Sequence, residues 1–120
     1  MIYIGTDIIQ LSRIDELITA KGKRFLSHIY TEYEQSICNK KKSPYIHYGG
    51  KYAAKEAVKK ALLSLNKKHT ISLKNIEIKN KDDGAPMVIL KDDTISSVNV
   101  QVSISHTDDY ATATAILEIK

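Results

Sequence analysis

Residues 43–66 read SPYIHYGGKYAAKEAVKKALLSLN, and their periodicity decides the architecture. Ala54, Val58, Ala61, Leu62 and Leu65 recur at the three- and four-residue spacing of one helix face. Ser43 and Pro44 supply a start, because proline suits a first helical turn, where its missing N–H is not needed. The spacing predicts one long helix that ends near Asn66. Gly49 and Gly50 stand inside it, where each glycine disfavours a helix by roughly 1 kcal/mol against alanine. The pair points to a close approach by another backbone or a ligand, or else to a helix that begins only after Gly50.

Upstream, Ile2 to Ile9 reads as a buried strand. Ser12, with Asp15 three residues on, resembles a capped helix start, with Leu17 and Ile18 toward the core and Gly22 as the stop. Thr31 and Glu34 repeat the capping-box spacing and open a second helix, which runs into Lys40-Lys41-Lys42. Downstream the period becomes two. Asn75 to Lys79 alternates, Asp82-Asp83-Gly84-Ala85-Pro86 is a turn, and Met87 to Leu90 returns, which predicts a hairpin. Val98, Val100, Val102 and Ile104 alternate with polar residues. So do Ala111, Ala113, Ala115, Leu117 and Ile119. One strand, then helices, then a run of strands implies an α+β fold with a mostly antiparallel sheet packed against the long helix. The 120 residues form a single domain, 1–120.

Apolar content of 42% and charged content of 27% are those of a globular chain. A net charge of +4 favours an acidic partner without choosing among phosphate, nucleic acid, anionic membrane and acidic protein. Cys38 is the only cysteine, so no intrachain disulfide is possible, and a reducing cytoplasm is expected. The opening MIYIGTDIIQL is short and carries Asp7, unlike a signal peptide. No run approaches a membrane span.

Three places could carry chemistry. Glu56 falls opposite the apolar stripe of the long helix, beside Tyr52, Lys59 and Lys60. That face could receive an anion, although Glu56 and Lys60 also have the spacing of an ordinary exposed pair worth roughly 0.2–0.5 kcal/mol. Asp7 interrupts an apolar strand, where an unpaired carboxylate needs a cation, donors or solvent. The alternative is a polar residue on the wet face of an edge strand. His106 ends the strand Ser103-Ile104-Ser105-His106 and enters a loop, a common place for function and also for a solvated histidine. No second His or Cys is spaced for zinc, and no Ser-His-Asp arrangement is defensible.

These places coincide with three motifs of one family. GTDIIQLSRI resembles the pattern G-x-D-h-x-x-h-x-R-h (h, apolar) of the holo-acyl-carrier-protein synthases, with Asp7 and Arg13 in register. GGKYAAKEAVKKAL resembles their G-R-F-A-A-K-E-A-h-x-K-A-h helix, with Lys55, Glu56 and Lys60 in register. VSISHTDDYATATAI resembles their closing S-h-S-H strand and hairpin, with His106 in register. Asp83 to Pro86 is similar to a G-x-P turn of the family. Lys51 and Tyr52 stand where Arg and Phe are usual, and lysine cannot grip phosphate with a bidentate fork.

The resemblance implies a 4′-phosphopantetheinyl transferase-like fold and a Mg²⁺-dependent enzyme. It implies transfer of the phosphopantetheine arm of coenzyme A to a serine of acyl carrier protein, for fatty acid biosynthesis. Asp7 and Glu56 would hold the metal. Lys51, Lys55, Lys60, Ser105 and His106 would meet the coenzyme, and Lys60 would reach a phosphate oxygen. Glu56, a metal-bound water and His106 are the candidates for taking the serine proton. Arg13 would face the acidic carrier; Lys21, Lys23 and Arg24 add positive charge on and just after the same helix, and the alternative is an ordinary solvated basic face. The resemblance also implies a homotrimer with sites between subunits, in which Ala111, Ala113 and Ala115 allow close packing and His106 completes a neighbour's site. A basic α+β module that binds nucleic acid is the competing reading. It lacks a recognised motif or an aromatic strand pair for base stacking.

Overall fold

Alternation along the chain produces two antiparallel sheets rather than one. The computed structural model describes residues 1–68, 70–95 and 97–120. Strand β1 (Ile2–Gln10) is followed by helices α1 (Leu11–Lys21), α2 (Lys23–Ile29), α3 (Glu32–Asn39) and α4 (Pro44–Leu65). Strands β2 (Ile76–Asn80), β3 (Pro86–Leu90), β4 (Val98–His106) and β5 (Tyr110–Ile119) complete the chain. The first sheet has the order β1-β5-β4, and β2 and β3 form a separate hairpin.

The long helix is where the periodicity puts it, and it lies across the first sheet. Ala53, Ala57, Val58, Ala61 and Leu62 are buried against Ala113, Ala115 and Leu117 of β5 and Ile76 and Ile78 of β2. Leu65 only borders this core. The small residues let helix and sheet approach closely, and Gly5 of β1 marks the tightest point. A Cβ at Gly5 would run into the Ala57 carbonyl oxygen and the Ala61 amide. The helix does not begin after Gly50. Gly49 makes room for the Leu11 side chain, and Gly50 lies against Ile104 and borders a cleft.

Several local expectations need correction. β1 is not buried on both faces: Ile2, Ile4 and Ile8 are exposed, while Gly5 is buried against α4. Ser12 does not cap α1. The helix starts at Leu11, and the Leu11 amide donates to the Asp109 carbonyl at 2.8 Å, so the β4–β5 loop meets a group that a cap would otherwise satisfy. The buried residues of α1 are Leu11 and Ile14, with Leu17 and Ile18 only partly covered. Helix α2 was not foreseen. Helix α3 stops at Asn39, before the lysines. Ala111, Ala113 and Ala115 face α4 inside the same chain, so they cannot pack against another subunit. The outward residues of β5 are Tyr110, Thr112, Thr114, Ile116 and Glu118.

The capping box at Thr31 is present, with the Glu34 amide donating to Thr31 Oγ1 and the Thr31 amide to Glu34 Oε1. The Glu34 carboxylate is itself fully buried. Its Oε1 lies 2.7 Å from Lys55 Nζ, and its Oε2 accepts from the Ile78 amide at 2.8 Å. A second core of Ile14, Leu26, Tyr30, Cys38 and Tyr48 fills the space between α1, α2, α3 and α4. Burial pushes the Cys38 thiol up to about 12, so it behaves as a small apolar residue there.

Candidate active site

Asp7 and α4 form the first part of the site. Odd-numbered residues of β1 face the helix, which brings Asp7 to the turn of α4 that carries Lys60. Lys60 Nζ lies 3.1 Å from Asp7 Oδ1 and donates to the Thr6 carbonyl at 2.9 Å. The Thr112 hydroxyl holds the Asp7 carbonyl at 2.9 Å, which ties the strand to β5 at this residue. Asp7 Oδ2 is buried and has no hydrogen-bond partner. Glu56 sits one turn before Lys60 and is half-buried. The Tyr52 hydroxyl is pushed up by burial first, then by the negative charges of Glu56 and Asp7, and pulled back by Arg13. Those four side chains therefore share one electrostatic neighbourhood. Two carboxylates flanked by Lys60 and Arg13 make a place where anionic oxygen and a cation can both be held.

The second part is a cleft of about 270 Å³ between the first half of α4, the end of α3, the β2–β3 hairpin and the end of β4. Lys41, His47, Lys51 and His106 line it with Asn80, Gly84 and Pro86. The basic side chains around this cleft, Lys41 foremost, favour a phosphate-bearing ligand. His47 is held below its usual range by burial first, then by the neighbouring Lys41, His106 and Lys51. Neither Lys41 nor His47 was singled out in the sequence. His47 lies four residues before Lys51, on the same helix face, and that spacing was the available signal.

The structure brings Asp7, Glu56, Lys60 and Arg13 together, and it places His106 elsewhere. Asp7 pairs with Ala113 of β5, and His106 pairs with Ala111 from the other side. β5 thus separates them, and two strand spacings amount to roughly 10 Å. His106 is exposed, its Nδ1 3.2 Å from the Thr107 carbonyl. Ser105 borders an apolar pocket that His106 also lines, with Ile8, Tyr110 and Thr112.

Lys55 corrects an expectation: it is fully buried and cannot present its charge to a coenzyme. Its ammonium is shared by Glu34, the Leu73 carbonyl at 3.0 Å and the Ile76 carbonyl at 2.7 Å. Lys51 is only 6% exposed and donates to the Ile78 carbonyl at 3.0 Å and Asn80 Oδ1 at 3.3 Å. On the far side, Lys21 and Arg24 line a pocket of about 260 Å³ with Phe25 and His28. Arg13 is exposed on the preceding helix.

Residues 3–115 match the 4′-phosphopantetheinyl transferase superfamily. A holo-[acyl-carrier-protein] synthase of Chlamydia pneumoniae is 42% identical over 119 residues, spanning 97% of this chain and 96% of its own.

The chain belongs to the 4′-phosphopantetheinyl transferase superfamily.

Solved structures of that family share the fold. A holo-(acyl-carrier-protein) synthase from Bacillus anthracis, in complex with CoA (3′,5′-ADP), superimposes with a TM-score of 0.82 at 33% identity. The match covers 98% of this chain and 96% of the other. The Helicobacter pylori holo-[acyl-carrier-protein] synthase in complex with coenzyme A gives 0.81 at 28% identity, covering 96% and 99%. Among the described residues, no helix is long and apolar enough to cross a membrane.

Proposed function

We propose that this protein transfers the 4′-phosphopantetheine arm of coenzyme A to a serine of apo-acyl carrier protein, the step that readies the carrier for fatty acid synthesis. The observation that carries the reading is the Asp7 carboxylate, with one oxygen buried and unpartnered beside Glu56 and Lys60, in a chain of this superfamily. In the reaction, the serine oxygen bonds to the β-phosphorus, the bond from that phosphorus to the bridging oxygen breaks, and adenosine 3′,5′-bisphosphate departs. The serine proton is released.

The residues present fit a magnesium ion. Mg²⁺ takes one or two protein carboxylates and fills its remaining positions with substrate phosphates and water. Among the described residues no cluster of three or more His, Cys, Asp or Glu gathers around a common point, so a pair is what the chain offers. Asp7, through its unpartnered Oδ2, and Glu56 would hold the ion, which when bound supplies neutralising charge for the phosphate under attack and for the leaving group. Lys60, half exposed and one turn beyond Glu56, reaches over the same site and binds a phosphate oxygen. In the homotrimer, the basic cleft of an adjacent subunit holds the rest of the coenzyme, with that subunit's His47, Lys41 and His106 around its phosphates. Incubation with apo carrier, coenzyme A and Mg²⁺ should add the mass of the arm to the carrier. A carrier of unchanged mass would overturn the reading.

Lys21, Lys23 and Arg24 give the end of α1 and the start of α2 a positive surface, which Phe25 supplements with an apolar contact, and an acidic carrier fits it beside Arg13. Arg24→Glu should weaken carrier affinity by about tenfold or more, since it sets an acid against an acidic partner. A calorimetric titration showing unchanged affinity would count against this surface.

The assembly is a homotrimer in the reducing cytoplasm, where a buried free thiol such as Cys38 is stable. What supports the trimer is the outer face of the first sheet. Ile2, Ile4, Ile8, Tyr110 and Ile116 are 44–65% exposed there, and Ile4 stands directly opposite Ile116. An apolar sheet face of this kind is costly in water and is covered by association. The placement of His106 two strands from Asp7 also agrees with a site completed by a neighbour. Light scattering should return three chains of 13.5 kDa. Glu56→Ala and His106→Ala variants should regain activity when mixed and reassembled. A monomer mass would end both claims.

A further inference from the structure

The second edge of β2 is closed by side chains instead of a strand. In an antiparallel pair, alternate residues turn both peptide groups away from the partner strand. On β2 these are Ile76, Ile78 and Asn80. The Ile78 amide donates to Glu34 Oε2, and the Ile78 carbonyl accepts from Lys51 Nζ. The Ile76 carbonyl accepts from Lys55 Nζ, and the Asn80 amide meets the Tyr33 hydroxyl at 3.5 Å. A buried strand edge must pair these groups, and α3 and α4 do so with charged and phenolic side chains.

Lys51 is the member of this set that faces the cleft. Beyond Asn80 the chain turns through Lys81 to Ala85, closed by the Gly84 amide on the Lys81 carbonyl and the Lys81 amide on the Ala85 carbonyl. Asn80, Gly84 and Pro86 are the cleft wall opposite α4. We infer that Lys51 is a positioning residue: its ammonium, held between the Ile78 carbonyl and the Asn80 side chain, sets the distance between α4 and the hairpin wall, and acts on substrate only through that wall. The inference rests on the reading that this cleft takes coenzyme A. It assigns to lysine a task that does not use the bidentate fork of arginine, because a carbonyl and a single amide oxygen are two separate acceptors.

The test compares Lys51→Met, Asn80→Ala and the double variant. Each single change should raise KM for coenzyme A by about tenfold with kcat within about twofold, since a displaced wall weakens binding of substrate and transition state alike. The double variant should be no worse than Lys51→Met, because the two side chains act as one contact. Amide exchange across residues 79–86 should quicken by about tenfold in both single variants, while β1 and β5 stay as they are. Additive KM effects, or a raised KM in Lys51→Met with hairpin exchange unchanged, would mean that the lysine touches the substrate and would overturn the inference. If Lys51→Met does not fold, Asn80→Ala, a change at an exposed position, is read alone by the same two measures. A wild-type protein that does not turn over coenzyme A would refute the functional reading instead. Hairpin exchange would then decide the positioning role by itself, faster in the variants if it holds and unchanged if it does not.

Discussion

Lys55→Met should lower folding stability by about 3–5 kcal/mol, because it strips the partner from a buried carboxylate. Lys55 and Glu34 are both 0% exposed and 2.7 Å apart. The change also leaves the Leu73 and Ile76 carbonyls without their donor, and each unsatisfied buried group adds of the order of 1–3 kcal/mol. Domains of this kind have only about 5–15 kcal/mol in all, so a large share of the fold is at stake. The lysine stem is close in size to methionine, so lost volume is not the cause. Urea denaturation followed by circular dichroism measures the effect. Adding Glu34→Gln to Lys55→Met should recover part of the loss, since the isolated buried charge is then gone. A Lys55→Met variant within about 1 kcal/mol of wild type would show that the pair is not what holds β2 to α4.

Asp7→Ala should abolish transfer without weakening the fold. Charge stabilisation at a metal site is worth several kcal/mol, and at about 1.4 kcal/mol per tenfold that is two to three orders of magnitude in rate. Asp7 Oδ2 is buried without a partner, an arrangement that opposes folding. Its side-chain partner, Lys60, is 51% exposed and returns to solvent when the carboxylate is removed. The Asp7 carbonyl keeps its bond from Thr112. Thermal stability should therefore hold or rise while the rate collapses, the signature of a residue kept for function at the expense of stability. Glu56→Ala should match the loss of rate, since both carboxylates serve one ion. Substantial magnesium-dependent transfer in either variant would refute the assignment, and so would loss of activity that merely follows unfolding.

The elements were legible because they are written locally. The apolar stripe of α4, the capping box at Thr31, and the period-two runs of β4 and β5 are all contained within one or a few turns of chain. The Ser12 cap failed because its competitor is distant: the Asp109 carbonyl, almost a hundred positions along the chain, meets the Leu11 amide instead. Helix α2 was missed because it is seven residues long and too short to show a period. Glu56 and Lys60 could be grouped from i, i+4 spacing. His47 could be grouped with Lys51 by the same spacing, but Lys41 could not be assigned to the cleft, because its other walls are β2, β3 and β4.

By itself, the sequence determined the α+β class, the long helix, the strands and, through three motifs, the family. The tertiary structure alone decided what those charged residues do. Lys51, Lys55 and Lys60 lie on one helix at intervals of four and five residues, and in the sequence all three are candidates for meeting the coenzyme. Yet one faces a cleft wall, one is sealed against Glu34, and one reaches Asp7 from solvent. The difference arises because helical spacing states only which residues share a face. Whether that face meets a carboxylate, a bare strand edge or water depends on chain segments 21 to 53 residues away, and those are brought up only by folding.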